Sequence, residues 1–167
     1  MQTKTNNEYI KYYKDKDLEI SFSIYPVVKD IIILPEMSKQ ETKQELKKPF
    51  ILTKGFWVFV TFRGEKYRFF IPTGYRYNGA DIPFGLYNLI GSPSTPQFKI
   101  ASLLHDFICE HHNVIGYNRY LSTKIFDALL EVANVPRWKR FLMFHCVDNW
   151  QKFCGWGLAE NSFAGLD

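Results

Sequence analysis

The stretch Gly55-Phe56-Trp57-Val58-Phe59-Val60-Thr61-Phe62-Arg63-Gly64-Glu65-Lys66-Tyr67-Arg68-Phe69-Phe70-Ile71 decides the first half of the fold. Aromatic and β-branched side chains fill Gly55 to Phe62 and Tyr67 to Ile71, and a short glycine-containing segment, Arg63 to Lys66, separates them. Such residues fit a pleated, half-buried surface, and glycine relieves the turn, so the stretch predicts a β-hairpin. Upstream, Leu18 to Ile24 alternates apolar and polar residues as a half-buried strand does. Ile31 to Leu34 reads as a short strand that stops at Pro35. Lys39 to Lys48 is dense in lysine but also carries Glu41 and Glu45, and reads as a solvated loop or short exposed helix.

Downstream of the hairpin the character changes. Residues 72–96 contain Gly74, Gly79, Gly85, Gly91, Pro72, Pro83, Pro93 and Pro96, which break any long regular element. This is a long ordered loop with a turn of helix near Phe84 to Leu89. Three helices follow. Thr95-Pro96 supplies an N-cap and a proline at the first helical position for a helix from Pro96 to His112. A second helix runs from Asn118 to Ala133, with Leu121, Ile125, Ala128, Leu129 and Val132 as its buried stripe. Pro136 opens a third, reaching Cys154, whose aromatic residues Trp138, Phe141, Phe144, Trp150 and Phe153 read as core or interface. Strands followed by helices imply an α+β fold, a small antiparallel sheet packed against three C-terminal helices. Residues 1–17 are expected as an N-terminal extension, 18–156 as one domain and 157–167 as a tail.

Composition narrows the function classes. With 167 residues, 46% hydrophobic and 17% aromatic, the chain can bury a real core. A net charge of +4 is mildly basic, too little to argue for nucleic acid without a clustered patch. The three cysteines form no spaced framework, as expected in a reducing compartment. Residues 1–8 have no apolar signal segment, and no stretch approaches the ~20 apolar residues that span a bilayer. The expectation is synthesis in a cytoplasm and no membrane partner.

The chemistry-bearing residues cluster in Ile100 to His112, which holds three of the four histidines together with Asp106, Cys109 and Glu110. Imidazole, carboxylate and thiolate are the groups that bind metals or move protons near neutral pH. At about 100° per residue, His105, Cys109 and His112 share one helix face, a three-ligand row for a soft divalent metal. Asp106 points about 100° away, so the doublet His105-Asp106 needs a second element to close a pocket, and Asp81 or Asn78 of the glycine- and proline-rich loop is placed to do so. The alternative is structural: His105 as a core histidine satisfied by hydrogen bonds, with Asp106 capping loop amides and His111-His112 favoured by the helix dipole. Zincin, inverted zincin, HD-type, Gly-x-Ser-x-Gly and phosphate-loop patterns are all incomplete here. A Cys109 nucleophile with His105 as base is possible at i, i+4 spacing.

Gly74-Tyr75-Arg76-Tyr77-Asn78-Gly79-Ala80-Asp81-Ile82-Pro83 resembles a Gly-Phe-x-Thr-Asp-x-Ala-Ser-Ile/Val-Pro pattern. His105-Asp106-Phe107-Ile108-Cys109 resembles His-Asp-x-x-Tyr, and Arg119 to Phe126 resembles Arg-x-x-x-Asp-x-x-Phe. With Val135-Pro136-x-Trp138, their order resembles the phage and prophage family called domain of unknown function 1353, over residues 50–156. Asn78, Asp81, Cys109 and Thr123 stand where that pattern has Asp, Ser, Tyr and Asp, so two carboxylate positions are neutral. The resemblance implies a phage-encoded accessory protein. The expected role is a virion or tail-associated structural component whose partners are other phage structural proteins, made in the host cytoplasm. The alternative is a small metal-dependent hydrolase in which His105, Asp106 and Asp81 hold a divalent metal or activate water, supported by Cys109 or His112.

Overall fold

The structure, a computed structural model, describes residues 9–79, 84–92 and 94–151. Among the described residues, seven strands precede the helical layer: β1 (Ile10–Lys14), β2 (Leu18–Phe22), β3 (Val28–Asp30), β4 (Phe50–Leu52), β5 (Phe56–Phe62), β6 (Glu65–Ile71) and β7 (Arg76–Tyr77). They form two antiparallel sheets, one of four strands in the order β1-β2-β5-β6 and one of three in the order β3-β4-β7. The fold is α+β, as the sequence predicts.

The hairpin is β5 and β6, paired from Phe56 with Ile71 to Phe62 with Glu65. Its loop is only Arg63-Gly64, and both residues have positive φ, 50° and 88°, as a twist-matched two-residue turn requires. The strand therefore resumes at Glu65, two residues before the expected start at Tyr67. Phe56, Val58 and Val60 point inward with Phe69 and Ile71, while Trp57 and Arg68 point to solvent.

Two sequence expectations are corrected in the N-terminal third. Residues 10–14, expected in an extension, form β1 at the sheet edge, because Ile10 and Tyr13 stand opposite Phe22 and Ile20 of β2. The Ile31 to Leu34 run is not a strand: pairing occurs one step earlier, at Val28–Asp30 against Phe50–Leu52, and Ile32 is exposed. Helix α1 (Lys39–Glu45) is the short exposed helix option for the lysine-rich segment. A complete capping box starts it, with the Ser38 hydroxyl accepting from the Glu41 amide and the Glu41 carboxylate accepting from the Ser38 amide.

A 3-10 turn at Phe84–Leu86 and α2 (Tyr87–Ile90) provide the expected helical turn. A further 3-10 turn, Pro96–Phe98, leads into α3 (Lys99–Ile115). Thr95 precedes that turn but its side chain makes no capping hydrogen bond, so proline alone supplies the start signal. Gly116, at φ 80°, ends α3 in the left-handed conformation, three residues later than expected. Asn118 caps α4 (Arg119–Val132) by accepting from the Leu121 amide, and α5 (Arg137–Trp150) follows Pro136. The expected end of this helix at Cys154, and the 157–167 tail, lie outside the described residues.

Short connections make α3, α4 and α5 sequential neighbours, and α3 packs on the sheets. Phe107 joins the layers: its ring stacks on Phe69 at 5.6 Å and meets Tyr75 edge-on at 5.1 Å. Around it Leu103, Leu104, Ile108, Leu121, Ile125 and Phe126 are buried with Ile20, Phe22 and Val58. Among the described residues, no helix is long and apolar enough to cross a membrane.

Candidate functional site

The site is built where three helices meet. Helix α3 contributes His105, Asp106 and Cys109; α4 contributes Ser122 and Thr123; Gln151 follows α5. His105, Ser122, Thr123 and Gln151 are buried, although each carries a polar group that must find a partner inside.

They find each other. Gln151 Nε2 lies 2.7 Å from His105 Nε2, 3.1 Å from Cys109 Sγ and 3.4 Å from the Ser122 hydroxyl. The Thr123 hydroxyl lies 3.0 Å from Gln151 Oε1 and 3.1 Å from the Arg119 carbonyl. Cys109 Sγ is 3.5 Å from His105 Nε2. On the other side of the ring, His105 Nδ1 is 3.6 Å from Asp106 Oδ1, too long for a hydrogen bond but close enough for strong attraction between charges. The Phe126 ring covers the imidazole at 5.3 Å.

Burial opposes a charge on His105, but Cys109 and Asp106 together outweigh it and raise the imidazole's pKa to about 10. The Asp106 carboxylate favours the cation directly. An imidazolium donates from both nitrogens, so the Gln151 amide atom facing it must then be the oxygen. A neutral ring protonated on Nδ1 would instead accept from the Gln151 N–H. The Gln151 orientation and the His105 charge are thus one coupled choice.

The helical projection placed His105 and Asp106 about 100° apart. The projection locates Cβ atoms only. Consecutive side chains can converge beyond Cβ, and here they do, to 3.6 Å between His105 Nδ1 and Asp106 Oδ1. Cys109 joins His105 as the i, i+4 spacing predicts. His112 directs its Nδ1 to the Cys109 carbonyl at 2.9 Å. His111 likewise bonds the Phe107 carbonyl at 2.8 Å and stacks on the Phe107 ring at 4.2 Å. Among the described residues, no group of three or more His, Cys, Asp or Glu side chains is placed to hold a metal ion. Asp81 lies outside the described residues.

Sequence reasoning missed Gln151 and Ser122. The readable signal was the pair Ser122-Thr123, polar residues directly following Leu121 on the buried stripe of α4. Gln151 gave no local signal, since its role depends on where α5 ends. A second polar tie was also missed. The Tyr75 hydroxyl donates to Glu110 at 2.9 Å, and Lys48 pairs with the other Glu110 oxygen at 2.8 Å. Burial first, then the Glu110 charge, holds the Tyr75 hydroxyl far above the ordinary phenol range, so it remains a donor. Arg119 meets both the carboxylate and the carbonyl of Asp148, locking the start of α4 to the end of α5.

A family model described as "Protein of unknown function (DUF1353)" matches residues 57–147. The "Uncharacterized protein y4jT" of Sinorhizobium fredii (strain NBRC 101917 / NGR234) is 31% identical over 77 residues, covering 46% of this chain. The match spans 22% of that relative's length. No solved structure matches.

Proposed function

This chain belongs to the DUF1353 family of proteins of unknown function, and we propose that it is a phage-encoded accessory protein, a virion or tail-associated structural component. The observation that carries this reading is the Gln151 side chain, which ties His105 and Cys109 of α3 to Ser122 and Thr123 of α4. Cys109 and Thr123, two of the positions that depart from the family pattern, both reach His105, Thr123 through Gln151. These hydrogen bonds hold α3, α4 and the end of α5 together. A rigid frame of this kind suits a protein whose work is done on its surface.

The outer face of α5 supports the same reading. Trp138 is 49% exposed and Phe141 61% exposed, and with Arg137 and Leu142 they line an open apolar recess. Aromatic residues with a flanking arginine are the typical energetic centre of a protein interface. Other virion proteins are the proposed partners. The test is mass spectrometry of purified particles from a host carrying the gene. The protein is expected in the particles at constant stoichiometry, and its absence from them overturns the structural role.

One observation favours a second reading, a small metal-dependent hydrolase working through His105, Asp106 and Asp81. His105 stands between a carboxylate and a thiol, an arrangement able to move a proton. His105 and Asp106 supply two donors and Asp81 the third, with Cys109 or His112 in support. Such an enzyme would purify with zinc, manganese or magnesium, or gain thermal stability when one is added. No bound metal and no rise in Tm would count against it.

A further inference from the structure

The solvent face of the four-stranded sheet is aromatic and cationic. Antiparallel sheets usually cover one face and leave polar side chains on the other. Here Trp57 stands opposite Phe70, Phe59 opposite both Ser21 and Arg68, and Thr61 opposite both Glu19 and Lys66. One strand further, Lys11 stands opposite Ser21 and Lys14 opposite Glu19. The rings form one patch: Tyr9 to Phe59 is 4.1 Å, Trp57 to Phe59 is 6.4 Å and Trp57 to Phe70 is 5.4 Å between centroids. Trp57 is 43% exposed and Tyr9 47% exposed. The Arg68 guanidinium lies 5.9 Å from the Trp57 ring centre.

The charge on this face is one-sided. Among the described residues, Lys11, Lys14, Lys66 and Arg68 share this face with one carboxylate, Glu19, which pairs with Lys14 at 3.0 Å and Lys11 at 3.8 Å. Lys66 and Arg68 have no ion-pair partner among the described residues.

We propose that this face binds single-stranded DNA without sequence preference, its bases stacking on Trp57, Phe59 and Phe70 and its phosphates meeting Lys66, Arg68 and Lys11. An exposed Trp57 flanked by the half-buried Phe59 and Phe70 rings and interleaved with cations matches the two chemistries of an unpaired strand, flat bases and a regular anionic backbone. The 6.4 Å between the Trp57 and Phe59 rings is about twice the 3.4 Å rise of stacked bases, room for bases splayed onto separate rings. A duplex hides its base faces and gains only the charge contacts. A second copy of the chain, docked face to face, would set like charges against each other. Apart from the Trp57 indole, the neutral polar groups among these face residues are hydroxyls, of Tyr9, Ser21 and Thr61, with no side-chain amide to read base edges bidentately.

The experiment is fluorescence anisotropy of dye-labelled oligo(dT) titrated with the full chain at several salt concentrations. Binding is expected with a slope of log affinity against log salt near about −2, as three phosphate contacts on a single strand give. Trp57→Ala should weaken binding about tenfold with the slope unchanged, because it removes stacking alone. The double variant Lys66→Glu/Arg68→Glu should weaken it at least about tenfold and flatten the slope. Val114→Ser, an exposed position on α3 in the opposite layer, should bind as the wild type does. Circular dichroism confirms that each variant is folded, and the charge variant stands independently of the Trp57 one. Absence of binding at low salt, undiminished binding in both face variants, or tighter binding of duplex or of oligo(U) than of oligo(dT) overturns the proposal.

Discussion

His105 shows how much one side chain takes from its setting. A histidine whose folded pKa is raised above its unfolded value stabilises the fold most fully below the unfolded pKa, and that contribution fades as pH rises through the folded one. With the folded value near about 10 and the ordinary value at 6.5, the window runs upward from neutrality. Thermal unfolding should therefore show the Tm gap between wild type and His105→Leu narrowing steadily from neutral to strongly alkaline pH. A gap that stays constant or widens would contradict the assignment. Cys109→Ala should lower the imidazole titration midpoint seen by NMR, since the neighbouring sulfur is one of its supports. The sequence exposed His105, Asp106 and Cys109 because they are neighbours along one helix. It did not expose Gln151, which is 46 positions from His105 and meets it only because α5 ends there.

At the scale of elements, local chemistry fixed the interiors better than the ends. The β5–β6 hairpin and the three long helices were legible because their periodicities are strong and their turns carry Arg63-Gly64, Gly116-x-Asn118 and Pro136. Ile31 to Leu34 misled because a β-branched run forms a strand only where a partner strand lies beside it, and β4 pairs with Val28–Asp30 instead. Asn118→Ala should cost about 1 kcal/mol by removing the α4 cap, measured by chemical denaturation. Gly55→Ala should cost more, about 1–3 kcal/mol. An added Cβ would lie 2.6 Å from Phe70 Cζ, 2.9 Å from the Thr73 amide nitrogen and 3.0 Å from the Ile71 carbonyl oxygen. The Phe70 ring can swing aside, but the backbone atoms cannot. An alanine variant as stable as the wild type would mean that the β5–β6 edge gives way easily.

Across the whole molecule, Phe107 bears the junction between layers, and Phe107→Ala should cost about 3–5 kcal/mol, lowering the denaturation midpoint with the slope unchanged. Trp138→Ser with Phe141→Ser should leave the Tm close to wild type, because both residues are exposed, while abolishing incorporation into particles. Incorporation of the double variant at wild-type levels would move the proposed interface away from α5. The sequence by itself determined the fold class, the hairpin, the succession of helices and the helix that carries His105, because each is written in contacts between near neighbours. Only the tertiary structure decided how the motif residues are used. It turned Asp106 toward His105, brought Thr123 to the cluster through Gln151, and drew β1 into the sheet. It also gathered Lys11, Trp57, Phe59, Lys66 and Arg68 from three strands onto one face. A net charge of +4 gives no hint of such a patch, because charge along a chain has no direction until the strands are paired and each side chain is committed to one side of the sheet.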